Sequence, residues 1–260
     1  MSLPPLDWHR DGARIFPREA AVEGWARAVA PLAEALERDP AHAEWWRCNG
    51  TWFAGVNVLP NGPDGAVPAW GVPPLEGAAM AFLRDLRGPF ALDAGQVSTV
   101  TPGYPRHGEE DTEAAWRYRV RRRAAHVDGL ERDAARRRRL SETHGFVLGI
   151  PLGDETGGAF TLWRGSHEVM RAAFREALNG TPVERWREVD VTDAYTAARA
   201  RCFEECEPME IAPGLGASYA AHPLALHGVA PWEGEGGGRR PIAYFRPDPF
   251  AGDPEAWLAS

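Results

Sequence analysis

From Gly95 to Arg246 the chain is a succession of short β-prone runs separated by glycine and proline, and that rhythm narrows the possible folds more than any other feature. Residues 96–100 are β-branched and lie between Gly95 and Pro102. Residues 145–152 form a continuous buried-type run, 159–163 form another, and 116–126 alternate in part. The segments 216–230 and 241–246 supply the last two. Many short strands with turn residues between them, with helices before and among them, predict a mainly β chain with flanking helices, arranged as a double-stranded β-helix or jelly roll.

The helical segments are readable from spacing. Residues 17–38 form an amphipathic pattern in which Pro17 suits a first helical position and Trp25, Leu32 and Leu36 recur at helical intervals, as for a helix packed on the outside of a sheet. A Trp-rich, β-prone stretch covers 45–59. Residues 60–74 are dense in proline and glycine and read as a long surface loop. A second helix is expected over 75–86, and two more, 168–178 and 193–206, among the strands. The chain has 260 residues, 44% of them hydrophobic and 25% charged, which suits one domain with a single core. We therefore expect one domain over 1–260, with a helical N-terminal flank and loop over 1–90 and the β-helix core over 91–250.

Charge and cysteine usage exclude some partners. A formal net charge of −8 argues against a phosphate-backbone binder, so nucleic acid is not expected. All 29 basic residues are arginine. Cys48, Cys202 and Cys206 make no disulfide framework, and the Cys202-x-x-x-Cys206 pair lacks the second ligand pair of a structural zinc site. The first residues carry neither a basic nor an apolar leader segment, and no apolar run approaches a membrane span. The expectation is a cytoplasmic protein without a membrane.

The chemistry concentrates in His126-Val127-Asp128. Side chains one residue apart share a strand face, so His126 and Asp128 can offer an imidazole nitrogen and a carboxylate oxygen to one metal. A histidine from a distant strand completes the two-histidine, one-carboxylate set that holds non-haem Fe(II) and leaves three adjacent positions open. That histidine comes from His222-Pro-Leu-Ala-Leu-His227-Gly228. His222 and His227 are five apart, so on a regular strand they point to opposite faces and at most one reaches the metal.

Four features in this order, His126-x-Asp128, Arg164-Gly165-Ser166-His167, His227-Gly228 and the pair Arg239-Arg240, resemble the phytanoyl-CoA dioxygenase-like family of Fe(II)/2-oxoglutarate oxygenases. The resemblance covers about 90 to 246 and is most specific in Gly158–His167 and in the His222–Gly228 strand. It implies the jelly roll, with Fe(II) on His126, Asp128 and His227 and with 2-oxoglutarate as cosubstrate beside O2 and a small-molecule substrate. It further implies release of succinate and CO2. His222 and His167 then take structural roles. An arginine is implied as the grip on the far carboxylate of 2-oxoglutarate, which a planar guanidinium holds with two parallel hydrogen bonds. Matching the family's segment places Arg239 in that role, and a shift of one residue hands it to Arg240.

Retention of Asp128 favours hydroxylation over halogenation, since halogenating relatives replace that carboxylate. Desaturation on the same scaffold and a non-catalytic cupin-like binder of a metal or small ligand stay open as alternatives. Trp116 and Trp163 are candidates for a substrate pocket or for core packing. The run Arg136–Arg139 reads as a solvated helical turn or as a lure for an anionic substrate.

Overall fold

Alternation along each strand sorts side chains onto two faces, and here both faces find a partner layer. The computed structural model describes residues 5–108, 111–233 and 238–260, so the first four residues, on which part of the N-terminal reading falls, lie outside it. Its elements are α1 (Trp8–Asp11), β1 (Ala13–Phe16), α2 (Ala20–Arg38), β2 (Trp46–Arg47), β3 (Trp52–Gly55), α3 (Ala78–Arg87), β4 (Gln96–Val100) and α4 (Glu113–Arg122). Next come β5 (Leu130–Arg132), β6 (Arg138–Leu140), β7 (Val147–Pro151), β8 (Phe160–Trp163), α5 (Ser166–Leu178) and α6 (Thr192–Glu205). The chain closes with β9 (Pro208–Ile211), β10 (Ser218–Ala221), β11 (His227–Val229), β12 (Arg240–Phe245) and α7 (Pro254–Ala259).

A seven-stranded antiparallel sheet in the order β1-β10-β7-β12-β4-β3-β2 faces a three-stranded sheet in the order β11-β8-β9. Their inner faces share one core: Val147, Tyr219, Ile242 and Tyr244 from the large sheet meet Phe160, Leu162 and Ile211 from the small one. This is the double-stranded β-helix. On the outer face of the large sheet, Leu148, Ile150 and Phe245 pack under Trp25, Val29 and Leu32 of α2 and Leu83 of α3. Outside the small sheet, Trp163 packs with Met170 and Phe174 of α5, Tyr195 and Cys202 of α6, and Trp257 of α7. Burying aromatic and aliphatic side chains of this size contributes roughly 1.5–3 kcal/mol each, which is what holds the helices to the sheets.

The structure corrects several expectations. Residues 1–90 are not only a helical flank, because β1, β2 and β3 all join the large sheet. Residues 116–122 are helix, not strand: the Thr112 hydroxyl accepts from Ala115 N at the N-terminus of α4, and Glu113 pairs with Arg117 one turn on. The segment 216–230 is two strands rather than one, broken at His222-Pro223, where Ala225 N donates to the His222 carbonyl. Arg136–Arg139 form the turn and second strand of the β5–β6 hairpin, not a helical turn. The 60–74 segment is more than surface: Val67 and Val72 bridge each other and are buried, and Trp25 Nε1 donates to the Gly65 carbonyl at 2.9 Å. Among the described residues no helix is long and apolar enough to cross a membrane.

Candidate metal centre

His126 follows a tight exit from α4, in which Arg123 and Ala124 both adopt positive φ. Its backbone then bridges antiparallel to His227, at the start of β11. Val127 points away into the helical layer outside the small sheet, which turns His126 and Asp128 to the same side. One ligand atom each from His126, Asp128 and His227 lies within 4.8 Å of the others. His126 Nε2 is 3.2 Å from Asp128 Oδ1, and His227 Nε2 is 3.5 Å from Asp128 Oδ2.

Both imidazoles are oriented by the same device. His126 Nδ1 donates to the Ala124 carbonyl at 2.9 Å, and His227 Nδ1 donates to the Ala225 carbonyl at 2.9 Å. With the proton committed to Nδ1, each Nε2 carries the lone pair a divalent metal needs, and both face one carboxylate. Three such donors fit a 2+ ion of the iron type. Two glycines allow the approach. Gly129 has φ +79°, and a Cβ there would collide with the Glu142 carbonyl; a Cβ on Gly228 would collide with the Arg123 carbonyl.

Asp128 is ionised. Burial pushes its carboxyl up, but the Arg246 guanidinium outweighs that and holds it well below the usual carboxylate range. Arg246 Nε donates to Asp128 Oδ2 at 2.6 Å, and its Nη1 donates to Gln96 Oε1 at 2.6 Å. Arg246, Gln96 and Tyr244 belong to no motif of the sequence. Counting in twos along the last strand from Arg240 finds them, because Arg240, Ile242, Tyr244 and Arg246 share the inner face and Gln96 pairs with Tyr244.

The three ligands sit in a cavity of about 660 Å³. Phe160 and Tyr244 wall its inner part, and Trp45, Trp52 and Arg47 stand on the side of β2 and β3. Trp163 and Trp116 do not line it. Trp163 packs outside the small sheet, and Trp116 donates its indole N–H to the Pro105 carbonyl. None of Arg136–Arg139 lines it either; Arg138 lies over the Tyr195 ring and Arg139 pairs with Asp133.

The arginine pair divides by strand register. Arg239 faces the outer layer, where it pairs with Glu37 and Glu34 of α2, so the structure does not bring it to the metal group. The inward residue is Arg240, which is 3% exposed. Its Nε donates to the Gly157 carbonyl at 2.9 Å, and both of its Nη nitrogens are buried with no partner among the described residues. The physical reason is the pleat. Arg240 shares a face with Tyr244, which belongs to the core between the two sheets, while Arg239 falls on the side that α2 covers.

His222 lies away from the metal group. It is buried, its Nε2 is 3.0 Å from Arg171 Nη2, and its Nδ1 accepts from Leu224 N. His167 Nε2 meets the His9 carbonyl at 2.9 Å, and the His167 ring packs on that of His222 with centroids 4.8 Å apart. Burial drives the pKa of both histidines down. Cys202 is buried against α5, and no metal-ligating group including a cysteine is found among the described residues.

No family model matches the sequence, and no curated protein matches it. Similar solved structures include AviO1 from Streptomyces viridochromogenes Tue57, at 15% identity over 93% of this chain and 91% of that one with a TM-score of 0.47. HygX from Streptomyces hygroscopicus, with nickel, 2-oxoglutarate and hygromycin B bound, matches at 17% identity over 92% and 83% with a TM-score of 0.45. EctD from S. alaskensis, with 2-oxoglutarate and 5-hydroxyectoine, matches at 14% identity over 94% and 74% with a TM-score of 0.47. At these values the likeness is one of chain course, and the chemistry is read from the site itself.

Proposed function

We propose that this chain is an Fe(II)- and 2-oxoglutarate-dependent oxygenase that hydroxylates a small molecule and releases succinate and CO2. The observation that carries this reading is the convergence of His126, Asp128 and His227, with both Nε2 atoms turned to one ionised carboxylate inside an open cavity. His126, Asp128 and His227 would hold the iron. Arg240 would hold the far carboxylate of 2-oxoglutarate, because two buried Nη nitrogens with no partner among the described residues suit a planar anion. It replaces Arg239 in that role. Arg240 shares its strand face with Tyr244, whose hydroxyl accepts from that of Tyr219 at 2.8 Å.

When bound, iron and 2-oxoglutarate supply the oxidising power, and the residues of this chain supply geometry and exclusion of water. Phe160 stacks on His227 with centroids 5.3 Å apart and touches Tyr219 and Tyr244, closing the inner end with aromatic surface. The presence of Asp128 denies halide the position it would otherwise take and favours hydroxylation. The test is anaerobic loading with Fe(II) and 2-oxoglutarate, exposure to air with a panel of small molecules, and measurement of succinate together with a substrate mass increase of one oxygen. Succinate no higher than in a metal-free control, across wild type and Asp128→Ala alike, would remove the oxygenase reading.

A further inference from the structure

Arg246 touches Asp128 Oδ2, the oxygen 3.5 Å from His227 Nε2, and leaves Oδ1, 3.2 Å from His126 Nε2, without an arginine contact. Its position is held from several sides: Nε on Asp128 Oδ2, Nη1 on Gln96 Oε1, its backbone N–H donating to Asp93 Oδ1 at 2.8 Å, and its carbonyl 2.8 Å from His144 Nδ1. Gln96 is itself buried and registered opposite Tyr244 on the neighbouring strand. The guanidinium therefore has little freedom to withdraw from the carboxylate.

The carboxylate can ligate through one oxygen or through two, and the choice decides how many positions stay free. Ligand bonds of about 2.0–2.2 Å put neighbouring donors at a right angle about 3 Å apart. The 3.2 Å between His126 Nε2 and Asp128 Oδ1 already matches that spacing. Oδ2 already accepts a charge-assisted hydrogen bond of 2.6 Å, which draws charge from it and makes it the weaker donor for a second metal bond. On an octahedral ion, one-oxygen ligation leaves three adjacent positions, enough for a chelating 2-oxo acid and O2; two-oxygen ligation leaves two.

We propose that Arg246 is a positioning residue that holds Asp128 as a one-oxygen ligand and so keeps three adjacent metal positions open. This rests on the metal-site reading given above. Gln96 belongs to the same device, as the group that fixes the guanidinium.

The experiment uses the full chain loaded with Co(II), whose visible spectrum reports coordination number. Wild type, Arg246→Met, Arg246→Lys and Gln96→Leu are each titrated with Co(II) alone and then with 2-oxoglutarate, with thermal melting recorded alongside. Arg246→Met is expected to bind Co(II) with an altered spectrum and to lose affinity for 2-oxoglutarate on the order of tenfold or more, the range found when an outer partner of a metal ligand is removed. Arg246→Lys should recover part of the wild-type spectrum, and Gln96→Leu should fall between wild type and Arg246→Met. Co(II) spectra of Arg246→Met identical to wild type, with 2-oxoglutarate affinity unchanged, would overturn the proposal. If Arg246→Met does not fold, unchanged spectra in both Arg246→Lys and Gln96→Leu overturn it equally. A wild-type Co(II) complex that ignores 2-oxoglutarate counts against the oxygenase reading alone, because the Co(II)-only spectra still decide how Asp128 binds.

Discussion

His126 and His227 exchange both of their backbone hydrogen bonds, His126 N to the His227 carbonyl at 2.8 Å and His227 N to the His126 carbonyl at 3.0 Å. The two imidazoles are thereby fixed side by side, with centroids 4.7 Å apart, by the backbone rather than by the metal. A site built this way should keep its shape when one ring is removed. His126→Ala, Asp128→Ala and His227→Ala are each expected to fold, to lose most Fe(II) affinity and to abolish succinate formation. His222→Ala is expected to keep Fe(II) binding and to cost about 1–3 kcal/mol of stability, because it leaves buried polar groups unpaired. Iron titration and thermal melting of the four variants check this, and iron loss in His222→Ala with retention in His227→Ala would mean the wrong histidine has been chosen.

Gly228 is required by contact rather than by backbone angle. A methyl group there meets the Arg123 carbonyl and the Ala125 backbone, on the segment that delivers His126. Gly228→Ala is expected to lose about 1–3 kcal/mol of stability, the scale of overpacking, and to weaken Fe(II) binding with it. Wild-type melting temperature and iron affinity in this variant would show that the two segments separate without cost.

The arginine pair gives a test with an internal control. Arg240→Lys keeps a positive charge and loses the paired donors, so affinity for 2-oxoglutarate should fall by about 1.5–3 kcal/mol while Fe(II) binding persists. Arg239→Lys, on the face paired with Glu37, should leave that affinity unchanged. Calorimetric titration of the Fe(II)-loaded or Co(II)-loaded protein distinguishes the two, and the reverse pattern would return the role to Arg239.

Stability should fall on mild acidification. His167 and His222 are buried with pKa values below the ordinary 6.5, so the folded chain resists protons that the unfolded chain accepts. Their contribution is present above the unfolded value and is lost as pH drops below it, with a slope of up to about 1.4 kcal/mol per pH unit for each histidine. Chemical denaturation between pH 7.5 and 5 reads this, in steps on the order of half a unit. His222→Asn should flatten the dependence; a variant as acid-sensitive as wild type would place the effect elsewhere.

The parts of the fold most legible in the sequence are the strands buried on both faces. Val147–Pro151 and Phe160–Trp163 are buried throughout because helices cover one side and the barrel core the other. The ligand group is legible for a similar reason, since a two-residue period links His126 to Asp128. Residues 116–122 mislead because Trp116, Tyr118 and Val120 alternate as strand residues do, while the helix is decided by Thr112 and by Glu113 with Arg117. β1 and β9 are short and carry polar residues, so only their pairing partners make them strands. The register of Arg239 and Arg240 escapes local reading because both neighbours are identical, and Glu37, which claims Arg239, comes from a distant helix.

The first strand has its place in the large sheet only through the tenth: Ala13 lies opposite Ala221 and Phe16 opposite Ser218. A chain emerging from the ribosome must therefore carry residues 13–16 unpaired until residues 218–221 have been made. Closing so long a loop is slow, and until it closes β10 presents an open edge to other nascent chains. Expression at lower temperature, or with holdase chaperones in excess, should raise the yield of folded protein more than any change at the metal site would.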